Sequence, residues 1–225
     1  GPLGLNVVRS PDGTVHVRDP SVWRGGDTWQ MIVGSGIAGV GGTVLRYASA
    51  DLRRWRYEGP LLVGDARARE PVWTGTMWEC PQFFPLGDRH VLLISVWADQ
   101  QPHDVAWMVG TFADGRFVPE SSGVLDPGSH YAPQTFLDER ERRVLIGWLR
   151  EHRSREAQAE AGWNGAMSVP WVLSLGDDRL LRFAPIAELT SLRHEHRQVQ
   201  ERMLPADQDL MLPEIDGDVL EIGTE

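Results

Sequence analysis

Residues 78–84 read Trp78-Glu79-Cys80-Pro81-Gln82-Phe83-Phe84, and a short turn then leads into the apolar run Val91-Leu92-Leu93-Ile94. A carboxylate set among Trp, Cys, Pro and two Phe is costly to bury ionised. It has a partner, or a pKa high enough to keep its proton, or a place at a strand rim with its head in water. A raised carboxyl pKa is what a general acid requires. The stretch has two relatives within the chain, Arg18-Asp19-Pro20-Ser21-Val22-Trp23 and Tyr131-Ala132-Pro133-Gln134-Thr135-Phe136. Each is followed by a polar turn and a second apolar strand, Trp29-Gln30-Met31-Ile32-Val33-Gly34 after the first and Val144-Leu145-Ile146-Gly147-Trp148 after the third. The prolines are 81 − 20 = 61 and 133 − 81 = 52 residues apart. Several short strands per repeat of about 40 to 50 residues or more are the mark of propeller blades.

Proline suits the first residue of a strand, where its missing N–H costs no ladder bond. If each innermost strand starts at its proline, Asp19, Glu79 and Tyr131 gather at one mouth of a central channel. The overlay has a flaw. Asp19 directly precedes its proline and Glu79 stands two before, which in an ideal strand sends them to opposite faces, so a bulge or a difference in twist has to reconcile them.

With Trp163-Asn164-Gly165-Ala166-Met167-Ser168-Val169-Pro170 added, these motifs stand in the order found in glycoside hydrolase family 32, the invertases and fructanases, and the chain resembles that family over about residues 15–193. The resemblance implies an all-β chain: a five-bladed β-propeller, present as an arc of about three blades, followed by the start of a β-sandwich. Residues 1–200 are then a partial propeller catalytic domain, and 201–225 a linker and truncated sandwich. It further implies a retaining hydrolase of β-fructosides such as sucrose or fructans. Glu79 becomes the general acid/base, and Asp19 a third carboxylate that binds fructosyl hydroxyls and favours the cationic transition state. Arg18 holds the carboxylates in place, and Trp78 and Tyr131 are either sugar platforms or blade packing. No cofactor or metal is implied.

Three departures stand out. Ser129 and His130 replace the acid and the aromatic that the family usually places before the Tyr, so neither is given a sugar role, and His130 reads as a loop residue. Trp171 stands where the family usually shows Arg. The family's nucleophile lies in a Trp-Met-Asn-Asp-Pro-Asn-Gly motif that these 225 residues do not contain. The expectation is a fragment that needs the N-terminal blades in cis or in trans. A catalytically inactive carbohydrate-binding propeller is the alternative.

Composition bounds the rest. A net charge of −10 disfavours nucleic acid and anionic membrane as partners and suits a neutral sugar. All 22 basic residues are Arg, and the single Cys rules out an internal disulfide. No apolar run approaches the roughly 18 residues of a membrane span. No secretory signal is seen, which leaves the compartment open, the cytoplasm slightly ahead of secretion. The glycine run Gly34–Gly42 joins strand to strand without a Lys and is set aside as a phosphate loop. Asp99–Asp104 reads as a polar loop, and Glu151–Glu160 as a short helix or loop.

Overall fold

The computed structural model describes residues 16–194. Of these, residues 16–186 group as one compact unit, made of three antiparallel sheets in sequence. The first contains β1 (Val17–Gly25), β2 (Thr28–Ile37), β3 (Gly41–Ser49) and β4 (Arg56–Val63), each strand paired with the next. The second repeats this order with β5 (Met77–Leu86), β6 (Arg89–Ala98), β7 (Gln101–Ala113) and β8 (Arg116–Val124). In the third, β9 (His130–Leu137) pairs with β10 (Arg143–Leu149). The third strand is split into β11 (Ala166–Met167) and β12 (Trp171–Leu175), both against β10, and β13 (Leu181–Pro185) closes the sheet. These are three consecutive propeller blades, as the repeat predicts.

The second unit begins at Ala187, and its described part is a 3-10 turn over Ala187–Leu192. The linker and sandwich expected over 201–225 lie outside the described residues. Among the described residues no helix is long and apolar enough to cross a membrane.

Turn chemistry joins the strands where the sequence asks for it. Gly26 (φ 62) closes the first hairpin, and Asp114-Gly115, both with positive φ, closes the one between β7 and β8. Asp99 and Gln100 (φ 50 and 60) form a third two-residue turn, so the loop expected over Asp99–Asp104 is instead a hairpin whose second strand already runs from Gln101. The cause is the length of β7, whose polar first residues extend the hairpin; His103 there meets the Trp73 ring edge-on at 5.0 Å. The charged stretch after β10 contains the helix α1 (Arg155–Ala161), capped by the Ser154 hydroxyl at its start and left-handed Gly162 at its end.

Two cores hold the blades together. Ile32, Val44 and Leu61 of the first blade pack against Trp78, Phe83, Leu92 and Ile94 of the second. Phe84, Leu93 and Trp107 of the second pack against Tyr131, Leu145 and Leu173 of the third. Gly42, from the run set aside as a phosphate loop, and Gly64 have a packing role. A Cβ on Gly42 would lie 2.1 Å from Cδ1 of Trp78, and one on Gly64 2.6 Å from Cζ2, so the fully buried indole fits between blades only over bare backbone.

Candidate active site

Each innermost strand carries the same irregularity. From Arg18 to Ser21 the chain takes three steps while its partner takes two, from Gly34 to Ile32. From Glu79 to Gln82 the partner runs from Ser95 to Leu93, and from Tyr131 to Gln134 it runs from Trp148 to Ile146. One extra residue per strand is a β-bulge. In all three, the residue directly before the proline has a positive φ: 59° at Asp19, 45° at Cys80 and 49° at Ala132. This is an uncommon conformation for side-chain-bearing residues, and it costs of order 1–3 kcal/mol each.

The bulge therefore does not bring Asp19 into the place of Glu79, as the sequence overlay supposed. It makes Arg18, Glu79 and Tyr131 equivalent positions on neighbouring blades, and Asp19, Cys80 and Ala132 a second equivalent set. The first set meets directly. Arg18 Nη1 donates to Glu79 Oε1 at 2.8 Å, and the Tyr131 hydroxyl donates to Glu79 Oε2 at 2.8 Å, with the Val96 carbonyl 3.1 Å away. Glu79, 8% exposed, thus has a partner on each oxygen, and the rim reading gives way to a gripped, buried carboxylate. Asp19 is anchored separately, its Oδ2 accepting from the Cys80 backbone N–H at 3.1 Å.

Burial, and then the charge of Glu79, push the Tyr131 phenol far above its usual range, which keeps the hydroxyl a donor. The Cys80 thiol is pushed up to about 12, first by burial and then by the carboxylate of Asp19, so it is neutral and not a nucleophile. Below these groups Gln82 Nε2 donates to Gln134 Oε1 at 3.1 Å, while its Oε1 accepts from Thr135 N–H at 3.0 Å, tying the second blade to the third.

Neither aromatic presents an open ring face. Trp78 is 0% exposed, with its indole N–H on the Thr74 carbonyl at 2.8 Å, and Tyr131 is 4% exposed. Of the two roles open for Trp78 the structure has blade packing, and Tyr131 reaches the site through its hydroxyl only. His130 is a correction as well. It is the first residue of β9, fully buried, stacked on Trp171 at 5.0 Å and lying over Gly147, because a Cβ on that glycine would occupy the place of the imidazole. Trp171 in turn stacks on Phe183 at 5.0 Å, so the position where the family usually shows Arg is here part of an aromatic stack. Burial lowers the pKa of His130 and keeps it neutral.

The sequence reading missed His16. Its Nδ1 lies 2.5 Å from Arg18 Nη2, and two-residue spacing along an extended chain, which puts both side chains on one face, is the signal that was there to be read. Among the described residues no group of three or more His, Cys, Asp and Glu could hold a metal ion.

A cleft of about 370 Å³ lined by Gln101, Pro102, Trp148, Arg150, Glu151, His152, Gln158 and Asn164 opens beside this cluster. Arg150 connects the two, since its guanidinium lies 5.5 Å over the Tyr131 ring. Glu151 braces the far wall through Arg153 Nη2 at 2.6 Å and the Gly165 N–H at 3.2 Å, and these bonds hold its pKa down at about 2.

Comparison with known proteins bears on the family of the chain. Residues 4–185 match the family model described as "Glycosyl hydrolases family 32 N-terminal domain". A sucrose-6-phosphate hydrolase of Escherichia coli is 34% identical over 208 residues, covering 88% of this chain and 42% of the relative. A raffinose invertase of the same organism is 33% identical over 201 residues, covering 84% and 40%. Among solved structures, a β-fructofuranosidase of Bombyx mori superposes with a TM-score of 0.69 at 27% identity, covering 83% of this chain and 40% of that one. A fructan 1-exohydrolase of Cichorium intybus in complex with 1-kestose gives a TM-score of 0.69 at 27% identity, covering 80% and 37%. The chain spans less than half the length of the curated relatives it matches. A family model matched from residue 4 to residue 185, over three blades whose bulges assemble Arg18, Glu79 and Tyr131, establishes that the chain belongs to family 32 of the glycosyl hydrolases.

Proposed function

We propose that this chain carries the acid/base half of a retaining β-fructosidase site. The observation that supports it is the two-sided grip on Glu79 by Arg18 and Tyr131. In this reading Glu79 protonates the leaving oxygen in the first step and takes a proton from water in the second, using lone pairs that its two partners leave open. Asp19 holds fructosyl hydroxyls and favours positive charge at the anomeric carbon. An Asp nucleophile outside these 225 residues, in cis or in trans, attacks from the opposite side, about 5 to 5.5 Å from the acid. The substrates are β-fructosides. The names of the relatives, sucrose-6-phosphate hydrolase and raffinose invertase, and the kestose complex support that class.

The lack of a Trp-Met-Asn-Asp-Pro motif in the 225 residues favours a second reading, a carbohydrate-binding propeller without catalysis. Kinetics of a protein that unites this chain with the nucleophile-bearing blades decide between them. Glu79→Gln is expected to lower turnover on sucrose by about 10²- to 10⁴-fold, while a β-fructoside with an activated leaving group loses far less. Equal losses on both substrates would remove Glu79 from the acid role. A folded, nucleophile-bearing protein that binds fructosides and cleaves none would establish the second reading.

A further inference from the structure

We infer that His16 is a positioning residue for the acid/base carboxylate, acting through Arg18; the inference rests on the reading of Glu79 given above. Arg18 spans two neighbours with one planar fork. Nη1 is on Glu79 Oε1 at 2.8 Å, and Nη2 is 2.5 Å from His16 Nδ1. A guanidinium has donors and no acceptor, so His16 Nδ1 is the acceptor and its proton sits on Nε2. His16 is itself fixed, since it is 8% exposed and its carbonyl accepts from the buried Ser35 hydroxyl at 2.7 Å. Ser35 belongs to β2, directly opposite Val17, so the histidine is tied to the framework of the first blade.

The geometry explains why a second contact matters. The Arg18 side chain is about one-third exposed while Glu79 is buried, so the guanidinium borders solvent. Held by Glu79 alone it could pivot about a single bond. Held at both ends of the fork it has one orientation, and Glu79 Oε1 is fixed with it. Tyr131 secures only the other oxygen. His16 therefore sets the direction in which Glu79 presents its proton, without touching the substrate.

The test uses the nucleophile-bearing protein, sucrose, and an aryl β-fructofuranoside whose leaving group hardly requires protonation. His16→Leu is expected to lower kcat on sucrose on the order of 10- to 100-fold with KM nearly unchanged, and to spare most of the aryl fructoside rate. His16→Asn, whose oxygen can accept from Arg18 much as Nδ1 does, is expected to recover most of the loss. Equal losses on the two substrates, or no difference between the Leu and Asn variants at matched thermal stability, would reduce His16 to a packing residue and overturn the inference. Glu79→Gln is run beside them. If it discriminates between the substrates and His16→Leu does not, the inference alone fails. If Glu79→Gln does not discriminate, the acid/base reading fails and the inference falls with it.

Discussion

The Tyr131 hydroxyl sits 2.8 Å from Glu79 Oε2 although 52 residues separate the two along the chain. The contact joins the second blade to the third. Tyr131→Phe keeps the ring in its core and removes only the hydroxyl, leaving a buried carboxylate oxygen one partner short. Turnover on sucrose is expected to fall about tenfold with the unfolding midpoint little changed. Full activity in the Phe variant would show that Arg18 alone suffices to hold Glu79.

Asp19→Asn retains an oxygen for the Cys80 N–H and removes the negative charge. If Asp19 acts on developing positive charge, turnover falls by orders of magnitude while substrate binding is largely kept, because the lost interaction strengthens only in the transition state. Steady-state kinetics combined with a direct binding measurement separate the two effects. An unchanged turnover number would leave Asp19 a structural residue of the bulge.

Gly42→Ala tests the packing of the first two blades. The added methyl would meet the Trp78 ring at 2.1 to 2.5 Å, and that ring has no solvent to move into. Overpacking of this kind costs about 1–3 kcal/mol, and the closeness of the overlap argues for the upper end. A urea titration with an unchanged midpoint would show that the indole can shift.

Cys80 offers a chemical check on the bulge. With its pKa near 12, the thiol is almost wholly protonated at pH 8, whereas an unfolded cysteine is partly thiolate. Alkylation by iodoacetamide at pH 8 is expected to be on the order of a thousandfold slower in the native protein than in urea, rising as pH approaches 12. Labelling at the unfolded rate would mean that neither burial nor Asp19 shields the sulfur.

Most of the fold was legible because Pro20, Pro81 and Pro133 punctuate strand starts and the apolar runs after them are strand-length. What was not legible follows from local geometry. The overlay of Asp19 with Glu79 required an irregularity in one strand that the other lacked; the same bulge in all three keeps the count back from proline intact, so Arg18 and not Asp19 is the counterpart of Glu79. The polar opening of β7 looked like a loop because Gln101, His103 and Asp104 lie on a hairpin end. Burial is the last gap. Whether Trp78 offers a face or fills a core depends on Gly42 and Gly64 standing across from it, and neither glycine is near it in sequence.

The thrice-repeated bulge separates address from occupant. Because one backbone kink recurs in three neighbouring repeats, the side chains at 18, 79 and 131 arrive at a common point whatever their chemistry, and a cation, an acid and a phenol there constitute a device that no single blade contains. The repeat supplies symmetry, and the three unlike occupants break it in one spot. Function in such a molecule is therefore written as the difference between otherwise equal modules, and the places to look for it are the positions where repeats agree in backbone and disagree in side chain.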